Sequence, residues 1–192
     1  MHLISLRDRP LIAEGDLFLW RRSHRLLSRA IAIFGRGLYS HAAMAARDLW
    51  GEPIVLEVIS WHGGRARPLA CYVEEEPGRI DWLRANAEDR WPEWEPDAAV
   101  ARFRKLIGCL YGWHNLWNVG LLHLPFIRWF WFARPQTDDQ VNGRHPPFCS
   151  EAVAIACRAG GVDPVRNLAD RMTEPQDLAR SLFFEYQGTL VP

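Results

Sequence analysis

The sequence predicts a single domain that mixes antiparallel strands with separate helices, and three observations carry that prediction. Two β-like runs, Tyr39 to Ala46 and Pro53 to Ser60, flank a turn containing Gly51, the pattern of an antiparallel hairpin. Leu26, Leu27, Ala30, Ile31 and Phe34 recur at helical spacing. A further helix opens at Cys149, directly after Pro146, Pro147 and Phe148, and closes at Gly160-Gly161. With 192 residues and 48% apolar content the chain can bury one substantial core, so residues 1–192 are read as one unit.

The elements follow in order. Gly15-Asp16-Leu17-Phe18-Leu19-Trp20 reads as a turn feeding a short strand, and a helix is expected from Ser23, its N-cap, to Gly35. After the hairpin, weaker strands are expected at Arg67 to Val73 and Arg79 to Leu83, separated by a solvated turn at Glu74 to Gly78. The acidic, proline-broken stretch from Glu88 to Asp97 reads as a surface connection. Ala99, Phe103, Leu106, Ile107 and Leu110 mark an amphipathic helix ending near Tyr111-Gly112. The segment from Trp113 to Phe132 holds four of the ten tryptophans, but Asn115, Asn118, His123, Pro125 and Arg128 break it up too much for a membrane span. Gln136 to Pro147 is polar and rich in turn residues, and Thr173 to Leu178 opens a short helix.

Composition removes several function classes. The 23 basic and 23 acidic residues cancel, so no global field attracts nucleic acid or an anionic membrane. The N-terminus lacks the basic start and apolar run of a secretory signal, which leads to the expectation of a cytoplasmic protein. Cys71, Cys109, Cys149 and Cys157 form no CxxC pair, which argues for free thiols rather than a zinc site or disulfide framework. His62, His114, His123 and His145 follow no metal-ligand spacing, and there is no phosphate-binding or dinucleotide fingerprint. Neither metal nor cofactor is expected.

Chemistry concentrates on three residues. A thiol at a helix start meets unpaired N–H groups and the positive end of the helix dipole, both of which favour the thiolate. Cys149 is therefore the candidate nucleophile. His41, among the small residues Ala42, Ala43, Ala45 and Ala46, fits either a satisfied core histidine or a base. Glu57 interrupts the apolar run Ile54-Val55-Leu56-Glu57-Val58-Ile59, where an unpaired charge would cost several kcal/mol. A hairpin centred on Leu49 or Trp50 brings Glu57 beside His41. There it would fix the imidazole tautomer and leave the other ring nitrogen for a thiol; a purely structural Glu–His pair, or a solvent-facing Glu57, is the competing reading.

The order His, Glu, Cys inverts the papain-like one, and here the sequence resembles a known family. Gly15-Asp16-Leu17 before a strand, Tyr39-Ser40-His41 opening the next, Glu57, Phe148-Cys149-Ser150-Glu151 opening a helix, and Pro175-Gln176-Asp177-Leu178 together resemble the circularly permuted, YiiX-like branch of the NlpC-type cysteine peptidases. Lecithin:retinol acyltransferase is a more distant permuted relative. The resemblance implies a papain-like, circularly permuted α+β fold, with an antiparallel sheet or small barrel packed against helices. It implies a hydrolase cleaving peptide amides, with peptidoglycan stem peptides the leading substrate class. Cys149, His41 and Glu57 would be catalytic, and Tyr39, Ser40, Asp16 and Tyr111 are candidate substrate-binding residues. Two alternatives stand beside it: an acyltransferase or thioesterase on lipid substrates, suggested by the tryptophan-rich segment, and a silent binding domain.

Overall fold

The structure, a computed structural model, describes residues 2–5, 11–22, 37–113, 146–166 and 168–192. Its elements are β1 (Leu3–Ser5), β2 (Leu17–Arg21), β3 (Tyr39–Arg47), β4 (Pro53–Ile59), β5 (Gly63–Pro68), α1 (Leu69–Glu75), β6 (Ile80–Ala85), α2 (Pro96–Arg104), α3 (Cys149–Ala159), α4 (Pro175–Arg180) and β7 (Phe184–Val191). The seven strands form one sheet in the order β1-β7-β6-β2-β3-β4-β5, antiparallel throughout except for the parallel pair of β1 and β7. Of the two arrangements expected, the described residues form a sheet with β1 and β5 as its outer strands.

The sheet is covered on both faces because its strands alternate two apolar sets. Leu17, Leu19, Ala42, Met44, Leu56 and Val58 pack against α3 and α2 through Ala152, Val153, Ala156, Ala99 and Phe103. Phe18, Trp20, Ala43, Ala45, Val55, Ile80 and Trp82 pack on the other side against Leu69, Tyr72 and Val73 of α1. The alanines of β3 let a helix approach closely, and α3 is itself lined with small residues; Cys149 to Cys157 are all buried.

The hairpin forms where expected. Asp48 closes the turn by accepting from the N–H groups of Trp50 and Glu52, each at 2.9 Å, and Gly51 takes the left-handed conformation at φ 82°. Its register pairs Met44 with Leu56 and runs to Arg47 with Pro53. Beyond the Met44–Leu56 rung, away from the turn, the two strands part, while β4 continues beside β5 as far as Ile59 opposite Gly63.

Three expectations are corrected. The strand placed at Arg67 to Val73 ends at Pro68, and α1 follows, because Leu69, Tyr72 and Val73 share one helical face and bury it. The helix drawn to Tyr111-Gly112 stops at Arg104. The chain then turns through Gly108, at φ 85°, to dock on β5, where Gly64 N–H donates to the Cys109 carbonyl at 2.9 Å and Gly108 N–H to the Gly64 carbonyl at 2.8 Å. β1 and β7 were not anticipated, and β7 completes the sheet by pairing with β6. The helix expected at 23–35 and the tryptophan-rich segment after Trp113 lie outside the described residues.

Candidate active site

Where β3 and β4 part, the N-terminus of α3 meets the sheet. Phe148 is the N-cap of α3 and has no side-chain acceptor to offer, so no side chain caps the first turn. Phe148 N–H is instead bound by Glu151 Oε2 at 3.2 Å, which secures the helix start from within. Cys149 is the first helical residue and is buried at 3% exposure.

Its thiol hydrogen-bonds the His41 ring, and the backbone N–H groups of Ala42 and Ser150 also point at the sulfur. His41 Nε2 lies 2.6 Å from Glu57 Oε2, which leaves Nδ1 as the nitrogen for the thiol. Trp20 packs edge-on against the imidazole, with ring centroids 5.1 Å apart. Cys149, His41 and Glu57 thus form one continuous hydrogen-bonded line.

The electrostatics follow from that line. Burial pushes the Cys149 thiol up, but the hydrogen bond and charge of His41 outweigh it and set the thiol below its ordinary value. Burial would lower His41, yet hydrogen bonds to Cys149 and Glu57 raise it to about 10. Burial also works against an ionised Glu57; the bond and charge of His41, with hydrogen bonds from Tyr72 and Arg65, bring its carboxyl down to about 2. All three directions favour a thiolate–imidazolium pair held by a carboxylate.

The four candidate substrate-binding residues fare differently. Tyr111 packs against Phe148 and Cys149, and Gly112 N–H donates to the Pro147 carbonyl at 3.0 Å, so this segment braces the approach to α3. Tyr39 commits its hydroxyl to the buried Asp81 at 2.7 Å, within a cluster that includes Arg21 and Thr189. Ser40 is buried beside His41 in β3. Asp16 is placed elsewhere: fully buried, it accepts from Ala13 N–H at 2.9 Å, Trp82 Nε1 at 2.8 Å and Ala85 N–H at 3.0 Å. Its carbonyl accepts from Ala45, four residues along β3 from His41 and so about 13 Å away at strand rise. Asp16 ties β2 to β6 rather than lining the site.

Sequence reasoning missed Arg65 and Tyr72, whose side chains reach Glu57 from β5 and α1. The signal available was Glu57 itself, a buried carboxylate whose two oxygens need more donors than one imidazole supplies. Cys157 is buried in the core with its thiol pushed up by burial, and Ser150 spends its hydroxyl on the Thr173 carbonyl at 2.7 Å, so neither competes as nucleophile. Among the described residues no group of three or more His, Cys, Asp or Glu side chains could hold a metal ion, and no helix is long and apolar enough to cross a membrane.

Comparison with known proteins supports the architecture. The fold is similar to that of the crystal structure of metalloprotein YiiX from Escherichia coli O157:H7, described as DUF1105, with a TM-score of 0.64 at 15% sequence identity. The superposition covers 94% of this chain and 99% of that one. The mixed α+β fold of this chain, with its seven-stranded sheet among the described residues, is therefore similar overall to that of YiiX and fits a papain-like fold. No protein-family model and no curated protein matches the chain.

Proposed function

We propose that the protein is a thiol-dependent hydrolase that cleaves peptide amide bonds through Cys149, His41 and Glu57, on a circularly permuted papain-like fold. The observation that carries this reading is His41 bridging the Cys149 thiol and the Glu57 carboxylate. The Cys149 thiolate attacks the amide carbonyl carbon, and the tetrahedral oxyanion forms at the start of α3, where N–H groups point outward. His41 donates its proton to the departing amine as the C–N bond breaks, leaving a thioester. Water then adds to the thioester, His41 takes its proton, and the acid leaves as the thiol is regenerated.

Peptidoglycan stem peptides are the first substrates to assay. Cleavage that Cys149→Ala and His41→Ala abolish, and that a thiol alkylator blocks, is the expected result; full cleavage by Cys149→Ala would end the proposal. A second reading, acyl transfer from or hydrolysis of lipid esters, is favoured by a ladder of rings leading from the nucleophile to the surface. Tyr111 packs on Cys149, Trp113 lies 5.0 Å from Tyr111, and the exposed Trp61 lies 5.3 Å from Trp113, with centroid distances quoted. Mass spectrometry of Cys149 after incubation with phospholipid vesicles decides between them, since a fatty-acyl adduct belongs to the second reading alone.

A further inference from the structure

The oxygens of Glu57 are divided between two tasks. Oε2 faces His41, whereas Oε1 accepts from Arg65 Nε at 2.7 Å and from the Tyr72 hydroxyl. Arg65 also donates to the Tyr72 oxygen at 3.1 Å, so guanidinium, phenol and carboxylate close a triangle. Behind it the Arg67 guanidinium lies 4.8 Å from the Tyr72 ring centroid and pairs with Glu75, holding the phenol in place. Each corner comes from a different element, β4, β5 and α1, and together they prevent the carboxylate from rotating about its last bond.

We infer that Arg65 and Tyr72 are positioning residues, which fix the orientation and charge of Glu57 and through it hold His41 for the thiol. This rests on the thiol-dependent reading above. A carboxylate at 0% exposure needs compensating donors to remain ionised, and one imidazole does not saturate two oxygens. Without the Arg65 charge, Glu57 takes up a proton more readily, and a neutral Glu57 no longer supports the His41 imidazolium that stabilises the thiolate; the pH at which the thiolate forms therefore rises. The charged and titratable groups facing this line are His41 from β3, Arg65 and Arg67 from β5, Tyr72 and Glu75 from α1, and Tyr111 and Glu151 beside Cys149.

The test is the pH dependence of iodoacetamide alkylation at Cys149 in the full chain, followed by mass spectrometry of its peptide. The midpoint in the unmodified protein should lie below the value of about 8.5 for an ordinary thiol. Arg65→Gln should raise it by about one pH unit, Arg65→Lys should restore most of the difference, and Tyr72→Phe should raise it by about half a unit. A folded Arg65→Gln protein with an unchanged low midpoint would overturn the positioning role while leaving the triad in place. An ordinary midpoint in the unmodified protein would instead overturn the triad itself, and this inference with it. Should Arg65→Gln fail to fold, Tyr72→Phe decides, and an unmoved midpoint there counts against the inference.

Discussion

Replacing Glu57 by glutamine tests the site at its most constrained group. The amide keeps one acceptor oxygen and turns the other position into an NH2 donor. Two donors, one of them cationic, face Oε1, and a single ring nitrogen faces Oε2, so the amide oxygen goes to Arg65 and Tyr72 and the NH2 to His41. That NH2 requires an unprotonated Nε2. The imidazole proton therefore moves to Nδ1, the nitrogen that has to receive the Cys149 proton, and the base is blocked with little change of shape. General-base assistance is worth about 10² to 10⁴ in rate, so turnover should fall by at least about 10²-fold with KM nearly unchanged. Alkylation shows the same loss without a substrate. At pH 6 a thiol of ordinary pKa is less than about 1% ionised, so iodoacetamide labelling of Cys149 should slow by at least about tenfold. A folded Glu57→Gln protein that labels at the unmodified rate at pH 6 would refute the orienting role of Glu57.

Asp16→Ala strips an acceptor from the N–H groups of Ala13, Ala85 and the Trp82 indole, which should lower stability by about 3 kcal/mol in urea denaturation. The Cys149 labelling rate should be unaffected; a slowed rate would return Asp16 to the site. Gly112→Ala would place a Cβ 2.2 Å from the Pro146 carbonyl oxygen and 3.0 Å from the Phe148 nitrogen, forcing the strut before Cys149 to move. A loss of about 1–3 kcal/mol together with slowed labelling is expected, and unchanged labelling would show that the strut does not hold the thiol. The folded carboxyl of Glu57 is depressed from 4.5 to about 2, so its contribution is fully present above pH 4.5 and lost as pH falls through about 2. The contribution approaches about 3 kcal/mol, so the stability gap between the unmodified protein and Glu57→Gln should narrow over that window, as urea titrations at pH 6, 4 and 2.5 would show.

The parts of this architecture that were legible before the structure are those governed by local rules. The hairpin showed itself through period-two runs around Gly51, which put Glu57 and His41 on one face; the ladder itself ends at Met44–Leu56, and the two side chains meet beyond it at 2.6 Å. The helix at Cys149 was equally plain, because two prolines and a terminal Gly-Gly bound it. Long-range pairing was not legible. Phe184–Val191 alternates weakly and contains Gly188, so nothing local marked it as a partner for β6, and three residues of β1 are too short to carry a period. The same limit hid Arg65 and Tyr72. Arg65 stands opposite Glu57 in the β4–β5 register, but a strand expected to start at Arg67 begins four residues after Gly63 and leaves that pairing out.

The parting of β3 from β4 has a consequence for the nucleophile. Along a strand, successive N–H groups point alternately to the two neighbours. Ala45 N–H points toward the β2 side, where it meets the Asp16 carbonyl, so Ala42 and Met44 address the β4 side. At Met44 a β4 residue is still there to pair; at Ala42 the ladder has ended, and the N–H meets the Cys149 sulfur instead. The sulfur thus occupies the place of the next carbonyl in the sheet. One more rung of β3–β4 pairing would withdraw that hydrogen from the thiolate, so the length of an ordinary hairpin ladder is itself a control on how reactive Cys149 is.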